Sequence, residues 1–173
     1  MALLMKKVAV LGAGTMGSQI AAHLANASIP CLLYDLPGMA AASLERLKKM
    51  DPAPLFDPSL VSLIEPMDFG PDFQKLKQAD WIIEAVVENL DIKRELLRSI
   101  EPYLRPDAIV TSNTSGIPLA VIAQEMSADF KSRWFGTHFF NPPRYLKLLE
   151  LIPTADTSPE HLSTVADFGD RVL

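Results

Sequence analysis

The chain has 173 residues, of which 49% are hydrophobic and 21% are charged, and its formal net charge is −5. This composition predicts one compact globular domain, and the negative charge argues against binding to nucleic acid or to an anionic membrane surface. Cys31 is the single cysteine, which excludes an internal disulfide and predicts a buried thiol in a reducing compartment. No apolar run reaches about 18 residues, and in residues 1–7 the lysines follow the apolar residues, so neither a membrane span nor a signal peptide is predicted. We therefore expect a cytoplasmic protein.

Apolar runs of strand length alternate with segments of helical periodicity. Because these runs are apolar throughout, they predict parallel strands that are covered by helices on both faces. Residues 16–24 predict one helix, and Ile92, Leu96 and Ile100 are expected on the inner face of another. The order predicts an α/β fold of Rossmann type, with a doubly wound, mainly parallel sheet and helices on both faces. The predicted strands are residues 8–11, 29–34, 81–87, 108–111 and 134–140.

Prolines interrupt the helical pattern between residues 48 and 72, where a short strand is predicted around residues 61–64. This excursion is either a surface connection or a cover over part of a ligand. Further on, a helix predicted from Pro159 continues to Leu173 with no strand after it. We therefore expect residues 1–173 to form a single domain that further sequence follows.

Residues 12–17 read Gly-Ala-Gly-Thr-Met-Gly, which matches the pattern G-x-G-x-x-G between a predicted strand and a predicted helix. In this setting the first glycine permits a tight turn, the second lets a pyrophosphate approach the backbone, and the third allows close packing of the helix. The helix N-terminus then favours the phosphates. The alternative is a glycine turn with a purely structural role. The expected cofactor contacts are Gly12, Gly14, Thr15, Met16 and Gly17.

Asp35 ends the second predicted strand, where an acidic residue about 20 residues after the glycine loop contacts the ribose of NAD. Its carboxylate would accept hydrogen bonds from the ribose hydroxyls and repel the 2′-phosphate of NADP. Since no arginine stands beside Asp35, the sequence predicts NAD rather than NADP. The alternative is a capping aspartate.

Two further loops should reach the cofactor, because ligands of open α/β sheets bind outside the carboxyl ends of the strands. After the strand predicted at 81–87, Glu88 and Lys93 are candidate contacts to the nicotinamide ribose or the pyrophosphate. An exposed ion pair is the alternative. The polar loop at 112–116 carries Asn113, whose amide is a candidate partner for the cofactor carboxamide or for a substrate oxygen.

His138 and Glu150 lie in the segment 136–152 and are the candidate chemical groups. Oxidation of a secondary alcohol needs a group that accepts the hydroxyl proton, and an imidazole does so at neutral pH. Glu150 is flanked by apolar residues, and a buried carboxylate needs a partner such as an imidazole ring. It would accept the other ring N–H and fix the tautomer. The alternative is a core histidine among aromatic residues.

Four segments resemble the NAD-binding domain of the L-3-hydroxyacyl-CoA dehydrogenases, and together they span most of the chain. The resemblance implies NAD-dependent oxidation of a 3-hydroxyacyl-CoA to the 3-ketoacyl-CoA in fatty-acid β-oxidation. The sequence of the last segment is more similar to that of the long bacterial members of the family, some of which are fused to an enoyl-CoA hydratase. The segments are GAGTMGSQIA at 12–21, EAVVENLDIKRELL at 84–97, SNTSGIP at 112–118 and HFFNPPRYLKLLELIP at 138–153.

The resemblance also assigns roles to individual residues. It implies that His138 is the general base with Glu150 as its partner, and that Ser115 and Asn141 hydrogen-bond the substrate oxygen. In the family the NAD-binding domain continues through a final strand, and a helical C-terminal domain then supplies dimer contacts and part of the acyl-CoA surface. The resemblance thus implies that residues 1–173 are an NAD-binding domain truncated before its last strand. The resemblance therefore implies a full-length protein that is a homodimer or a fused multifunctional enzyme, and a chain that binds NAD but turns over poorly alone.

Two rival interpretations remain. A β-hydroxyacid dehydrogenase shares the glycine loop, but such enzymes use a lysine on a later helix, so the pairing of His138 with Glu150 argues against one. A non-catalytic NAD-binding module is the other. No cysteine pair or H-x-x-x-H pattern predicts a metal site, and His23 and His161 are expected as surface or packing residues.

Overall fold

Residues 5–173 are described in a computed structural model. The strands are β1 (Val8–Leu11), β2 (Cys31–Asp35), β3 (Ile64–Asp68), β4 (Trp81–Glu84), β5 (Ile109–Ser112), β6 (Trp134–Phe139) and β7 (Leu149–Pro153). The helices are α1 (Thr15–Asn26), α2 (Met39–Leu47), α3 (Leu90–Ile100), α4 (Leu119–Ile122), α5 (Ala128–Ser132) and α6 (Pro159–Val172). Short 3-10 helices cover Pro58–Leu63, Phe73–Gln78 and Glu101–Tyr103. Within this described range, no helix is both long and apolar enough to cross a membrane.

The strands form one sheet in the order β3-β2-β1-β4-β5-β6-β7. All neighbouring pairs are parallel except β6 and β7, which are antiparallel. The chain order reverses between β1 and β4, and such a reversal opens a crevice at the carboxyl ends of the strands. The prediction of a Rossmann-type, doubly wound and mainly parallel sheet is confirmed.

Apolar side chains cover both faces of the sheet, as the strand sequences predict. Successive residues of a strand point to opposite faces, so neighbours in β1 belong to different hydrophobic clusters. Val10 packs in the same cluster as Leu24 of α1, whereas Leu11 packs in the same cluster as Leu97 of α3. Helices on both faces therefore hold β1 rigidly, and with it the loop that follows.

The inner face of α3 differs from the prediction. Leu96 and Ile100 are buried, but Ile92 is 46% exposed. The buried residues of this helix are Lys93, Leu96, Leu97 and Ile100, which follow the i, i+3, i+4 and i+7 spacing of one face. The expectation for Ile92 is wrong because the apolar stripe begins one residue later, with a lysine in its first position.

The excursion between residues 48 and 72 also differs in detail. Asp57 accepts a hydrogen bond from the N–H of Ser59 at 2.7 Å and caps a 3-10 helix at Pro58–Leu63. The predicted strand at 61–64 is therefore displaced, and β3 begins only at Ile64. It lies at an edge of the sheet, where a proline within a strand is tolerated.

Residues 51–56 of this excursion contact the loop that follows β6. The guanidinium of Arg144 donates to the carbonyl of Leu55 at 2.8 Å and lies over the ring of Phe56 at 4.5 Å. The hydroxyl of Tyr145 donates to the carbonyl of Ala53 at 3.0 Å. The excursion is thus attached to the segment that connects His138 with Glu150.

Candidate functional site

Two cavities lie outside the carboxyl ends of β1 and β4, where the strand order reverses. The larger cavity, about 670 Å³, has Gly12, Gly14 and Asp35 in its wall, and its size is that of a cofactor or ligand site. The smaller cavity is about 180 Å³. Both are lined by Ala85 and Val86 of the loop after β4, so they are adjacent. The residues around the smaller cavity are Met16, Ala85, Val86, Glu88, Lys93, Asn113 and Thr114.

The three glycines of the loop after β1 have different surroundings. Gly12 has a φ of +106°, and a Cβ there would lie 2.6 Å from the carbonyl oxygen of Ala85. A Cβ on Gly17 would lie 1.7 Å from the carbonyl oxygen of Gly12. A Cβ on Gly14 would meet no atom within 4 Å. The first and third glycines thus permit the turn and the helix packing, whereas the second leaves open space at the N-terminus of α1, where a pyrophosphate would approach.

Asp35 ends β2 beside this loop. Its Oδ2 accepts the N–H of Ala13 at 2.6 Å, and its Oδ1 accepts the N–H of Leu36 at 2.7 Å. Each carboxylate oxygen has two acceptor sites, so the ribose hydroxyls of a dinucleotide can still donate to Asp35. Among the described residues that line the larger cavity there is no lysine or arginine, so no cation there would compensate a 2′-phosphate.

Lys93 lies at the wall of the smaller cavity and is a buried cation, not half of an exposed pair. Its side chain is 1% exposed, and its Nζ donates to Oε1 of Glu84 at 2.7 Å. Oε2 of Glu88 lies 3.3 Å away on the other side. Two carboxylates therefore hold one ammonium group beside the space that a dinucleotide would enter.

Glu88 is the more exposed of these two carboxylates. Burial acts to raise its pKa, but the hydroxyl of Thr114, the ammonium of Lys93 and the N–H of Gly116 outweigh it, so the pKa of Glu88 lies below its ordinary value. The hydroxyl of Thr114 donates to the same oxygen, Oε1, that accepts the N–H of Gly116 at 3.2 Å. Glu88 consequently ties the loop after β4 to the loop after β5 as a carboxylate.

Glu84 was given no role by the sequence reasoning, although it has more buried polar contacts than Glu88. It ends β4 with a side chain that is 0% exposed, and it accepts from Val86, Lys93 and Ser112. The sequence does contain a signal for it. A glutamate ends a strand that is otherwise apolar, and a lysine follows on the inner face of the next helix.

His138 and Glu150 meet because β6 and β7 are antiparallel. The two residues are directly opposite in the register, which places their side chains on the same face. Nδ1 of His138 lies 3.0 Å from Oε2 of Glu150, which makes Nδ1 the donor and leaves Nε2 as an acceptor while the ring is neutral. The argument from burial was wrong, because the side chain of Glu150 is 49% exposed and that of His138 is 23% exposed. The register of β6 and β7 brings the two side chains together, and burial does not.

The amide groups of Asn113 and Asn141 are oriented by their neighbours. Oδ1 of Asn113 accepts the backbone N–H of Phe139 at 2.9 Å. Nε2 of Gln19 donates to the carbonyl of Thr15 at 3.2 Å and also to Oδ1 of Asn141 at 3.2 Å. Because a carbonyl only accepts, the nitrogen of Gln19 must face both groups, and Asn141 must turn its oxygen to it. Both asparagines therefore have their NH2 groups available as donors for other partners.

Gln19 is a further residue that the sequence reasoning missed, since it lies on the buried side of α1 among apolar residues. Ser115, the other residue expected at the substrate oxygen, is exposed in the loop after β5. Of the two other histidines, His161 lies 3.1 Å from the carbonyl of Ser132 through its Nδ1, and His23 packs edge-on against Phe139. Within residues 5–173, no group of three or more His, Cys, Asp or Glu is arranged to hold a metal ion.

The sequence over residues 7–172 matches the family described as 3-hydroxyacyl-CoA dehydrogenase, NAD binding domain. The chain belongs to this family. Two relatives are each named "Probable 3-hydroxyacyl-CoA dehydrogenase": one from Deinococcus radiodurans is 46% identical and one from Bacillus subtilis is 43% identical, and each alignment covers 97% of this chain. A Rickettsia felis relative, named as a trifunctional enzyme of a fatty acid oxidation complex, is 40% identical over 97% of the chain.

A solved structure of 3-hydroxybutyryl-CoA dehydrogenase from Escherichia coli has the same architecture, with a TM-score of 0.84 at 28% identity. The match covers 96% of this chain and 36% of that one. The chain spans 51% of the D. radiodurans relative, 24% of the B. subtilis relative and 24% of the R. felis relative. It therefore matches only part of the length of each of these relatives.

NAD is the cofactor of this domain family, and the described residues fit it. The open space at Gly14 admits a pyrophosphate to the N-terminus of α1. Asp35 in the wall of the larger cavity could accept the hydroxyls of the adenosine ribose, and Lys93 and Glu88 in the wall of the smaller cavity could contact the nicotinamide half. Thr15 and Met16 begin the helix between the two halves.

Proposed function

We propose that this chain is the NAD-binding domain of an enzyme that oxidises an L-3-hydroxyacyl-CoA to the 3-ketoacyl-CoA. The hydrogen-bonded pair of His138 and Glu150 is the observation that supports it most directly. This pair adjoins the smaller cavity, because Phe139 follows His138 and donates its N–H to Asn113 in the cavity wall. In this proposal the base, its orienting carboxylate and the nicotinamide site are neighbours at the end of the sheet where the parallel strands have their carboxyl ends.

The chain supplies the proton acceptor for such a reaction. When bound, NAD supplies the acceptor for the hydride that leaves C3 of the substrate. Nε2 of His138 takes the proton of the C3 hydroxyl, and the carboxylate of Glu150 stabilises the imidazolium that results. Because the carboxylate of Glu150 only accepts, the neutral ring of His138 that donates to it has its proton on Nδ1 and presents Nε2 to the substrate.

Ser115 and Asn141 are proposed to hold the substrate oxygen. The oxygen of Asn141 is engaged by Gln19, so the group that it presents is its NH2. A donor stabilises the negative charge that develops on the C3 oxygen as the hydroxyl proton leaves. The hydroxyl of Ser115 is exposed and can donate to the same oxygen.

The names of the relatives support the substrate class and the pathway. Two carry the name of a 3-hydroxyacyl-CoA dehydrogenase, and a third is named for fatty acid oxidation. We extend this to fatty-acid β-oxidation for the enzyme that contains this chain, as a homodimer or as a fused multifunctional protein of the long bacterial type. We also propose a cytoplasmic location, which agrees with the buried free thiol of Cys31.

The test compares His138→Gln with the native protein in the enzyme that contains this chain. NADH-dependent reduction of acetoacetyl-CoA is followed by absorbance, and NADH binding is measured by fluorescence. We expect about a thousandfold loss of turnover, the scale of a lost general acid or base, with unchanged NADH affinity. A variant that keeps its turnover would exclude His138 as the base. A native enzyme that binds NADH but reduces no 3-ketoacyl-CoA would support the non-catalytic alternative.

A further inference from the structure

Glu84 connects the loops after β4 and β5, and the proposed reaction depends on both. In that proposal Glu84 does not contact the substrate. Its Oε1 accepts the N–H of Val86 at 2.8 Å and the ammonium of Lys93 at 2.7 Å, and its Oε2 accepts the hydroxyl of Ser112. Its backbone carbonyl accepts the N–H of Asn113 at 2.8 Å. One residue at the end of β4 thus fixes the starts of the loops after β4 and β5.

These two loops form most of the wall of the smaller cavity. Val86, Glu88, Asn113 and Thr114 all belong to them, and Lys93 follows on α3. The contacts continue from Ser112, whose hydroxyl oxygen accepts the N–H of Thr114 at 3.1 Å. Any displacement of the Glu84 carboxylate would therefore change the position of several wall residues together.

The charge of Glu84 matters because Glu84 is the nearer and the more buried of the two carboxylates that hold Lys93. Its ammonium has three donors, whose acceptors lie at Glu84 (2.7 Å), at the carbonyl of Val86 (3.3 Å) and at Glu88 (3.3 Å). Glu84 is the nearest of the three and is fully buried with it. Without the charge of Glu84, Lys93 would keep the carboxylate of the partly exposed Glu88 at 3.3 Å, and the loss of one partner from a buried ion pair is strongly unfavourable.

We propose that Glu84 is a positioning residue for the nicotinamide half of NAD, and that it acts through Lys93 and Ser112. The inference rests on the proposed function, in which the smaller cavity receives that half. In the proposed function the adenosine half lies at Asp35 and the glycine loop, whose side-chain hydrogen bonds do not involve the Glu84 carboxylate. Val86 lines both cavities, but glutamine at position 84 keeps an acceptor for its N–H. Glu84 should therefore affect the affinity for NADH and leave the affinity for 5′-AMP unchanged.

The first experiment titrates Glu84→Gln with NADH and with 5′-AMP. Glutamine keeps an acceptor for the N–H of Val86 and removes the charge beside Lys93. We expect the dissociation constant of NADH to rise about tenfold or more, as for a lost hydrogen bond to a charged group, and that of 5′-AMP to stay within about twofold. Glu65→Gln is the matched control, since Glu65 pairs with Lys75 at 2.8 Å on the surface. It should change neither constant.

The second experiment tests the route through Lys93. If Glu84 acts by holding this lysine, Glu84→Gln should weaken NADH binding little further in a Lys93→Met background, where both charges are absent. Ser112→Ala retains the ion pair between Glu84 and Lys93 and removes the hydrogen bond from Ser112 to Glu84. It tests the same inference if Glu84→Gln does not fold. It should weaken NADH binding to a smaller extent and leave 5′-AMP binding unchanged.

Three outcomes would overturn the inference: an unchanged NADH affinity in Glu84→Gln, an equal loss for NADH and 5′-AMP, or a full additional loss in the Lys93→Met background. The last two would show a general structural role. Because no acyl-CoA is present in these titrations, they are independent of the reaction. A protein with the expected asymmetry that oxidises no 3-hydroxyacyl-CoA would refute the proposed reaction and leave the role of Glu84 intact.

Discussion

At the glycine loop the candidate cofactor contacts come from one short stretch, residues 12–17, whereas the partner of His138 lies on another strand, twelve residues further along the chain. The loop is fixed by close approaches of one backbone segment to another, as at Gly12 and Gly17. The histidine is fixed by the antiparallel register of β6 and β7. The first site depends on local backbone geometry and the second on long-range pairing, so they should fail in different ways when they are altered.

Gly17→Ala should have the largest effect, because the new Cβ would lie 1.7 Å from a backbone oxygen that cannot move without opening the loop. We expect a loss of about 3 kcal/mol or more in the free energy of unfolding. Gly14→Ala is the matched control for the fold, since its Cβ would enter open space. It should change the stability by less than about 1 kcal/mol.

The same control separates folding from binding. A methyl group on Gly14 would occupy the approach of the pyrophosphate, so we expect NADH affinity to fall at least about tenfold in a well-folded protein. Urea unfolding and a fluorescence titration with NADH measure the two quantities. If Gly14→Ala bound NADH as the native protein does, the loop would not be the pyrophosphate site.

Glu150→Gln should act at the other region without affecting the first. Glutamine can still bond to the ring of His138 but supplies no negative charge to the imidazolium, so we expect kcat to fall about a hundredfold. NADH affinity should not change, because Glu150 lies in the wall of neither cavity. Reduction of acetoacetyl-CoA by the enzyme that contains this chain measures the effect, with exposed Glu160→Gln as the control. Equal kcat values for the native and variant enzymes would exclude stabilisation of the imidazolium by the charge of Glu150.

Gln19 links the two regions, since it lies on the helix after the glycine loop and bonds to Asn141. Gln19→Glu offers only acceptors, so it should attract the NH2 of Asn141 and turn the donor away from the substrate. We expect about a tenfold loss in kcat/KM for acetoacetyl-CoA, the scale of one hydrogen bond to a developing charge. Gln19→Met removes the hydrogen bond to Asn141 without turning the Asn141 amide the wrong way. Its loss in kcat/KM should therefore be smaller. Equal losses in the two variants would point to packing alone.

The fold and the glycine loop could be predicted from the sequence because their signals are local. The run at residues 8–11 is β1, and the order of apolar runs correctly predicts the doubly wound sheet. Errors arose where local chemistry changes the pattern, as at Asp57, which caps a 3-10 helix in place of the start of a strand. At Ile92 the inner face of α3 is shifted by one residue because a lysine, not an apolar residue, occupies its first buried position.

The candidate site was less accessible to sequence reasoning. Residue types suggested His138 and Glu150, and the structure brings them together, but the supposed cause, burial of Glu150, is incorrect. Glu84 and Gln19 were missed because their importance depends on which loops meet at the edge of the sheet. A polar residue in an apolar segment signals a buried contact without identifying the partner, since that partner lies on another element of the fold.

The smallest predicted effect concerns His23, which joins the two regions through its contact with Phe139 after His138. Among the described atoms, its buried Nδ1 has no hydrogen-bond partner. Burial and then the charge of Lys147 lower the pKa of His23 below its ordinary value. As the pH falls below about 6.5, the unfolded chain therefore takes up a proton at this residue before the folded chain does. The contribution of His23 to the free energy of unfolding is complete above that pH and declines below it.

His23→Gln should consequently make the stability less dependent on pH between about 7.5 and 5.5, a range in which carboxylates of ordinary pKa change little. Urea unfolding at several pH values gives the slope for both proteins. The comparison uses slopes, not absolute stabilities, because the substitution also changes packing against Phe139. Identical slopes would mean that the folded protein accommodates the charged ring of His23. The contact between α1 and the end of β6 would then be open enough to admit water beside the segment that carries His138.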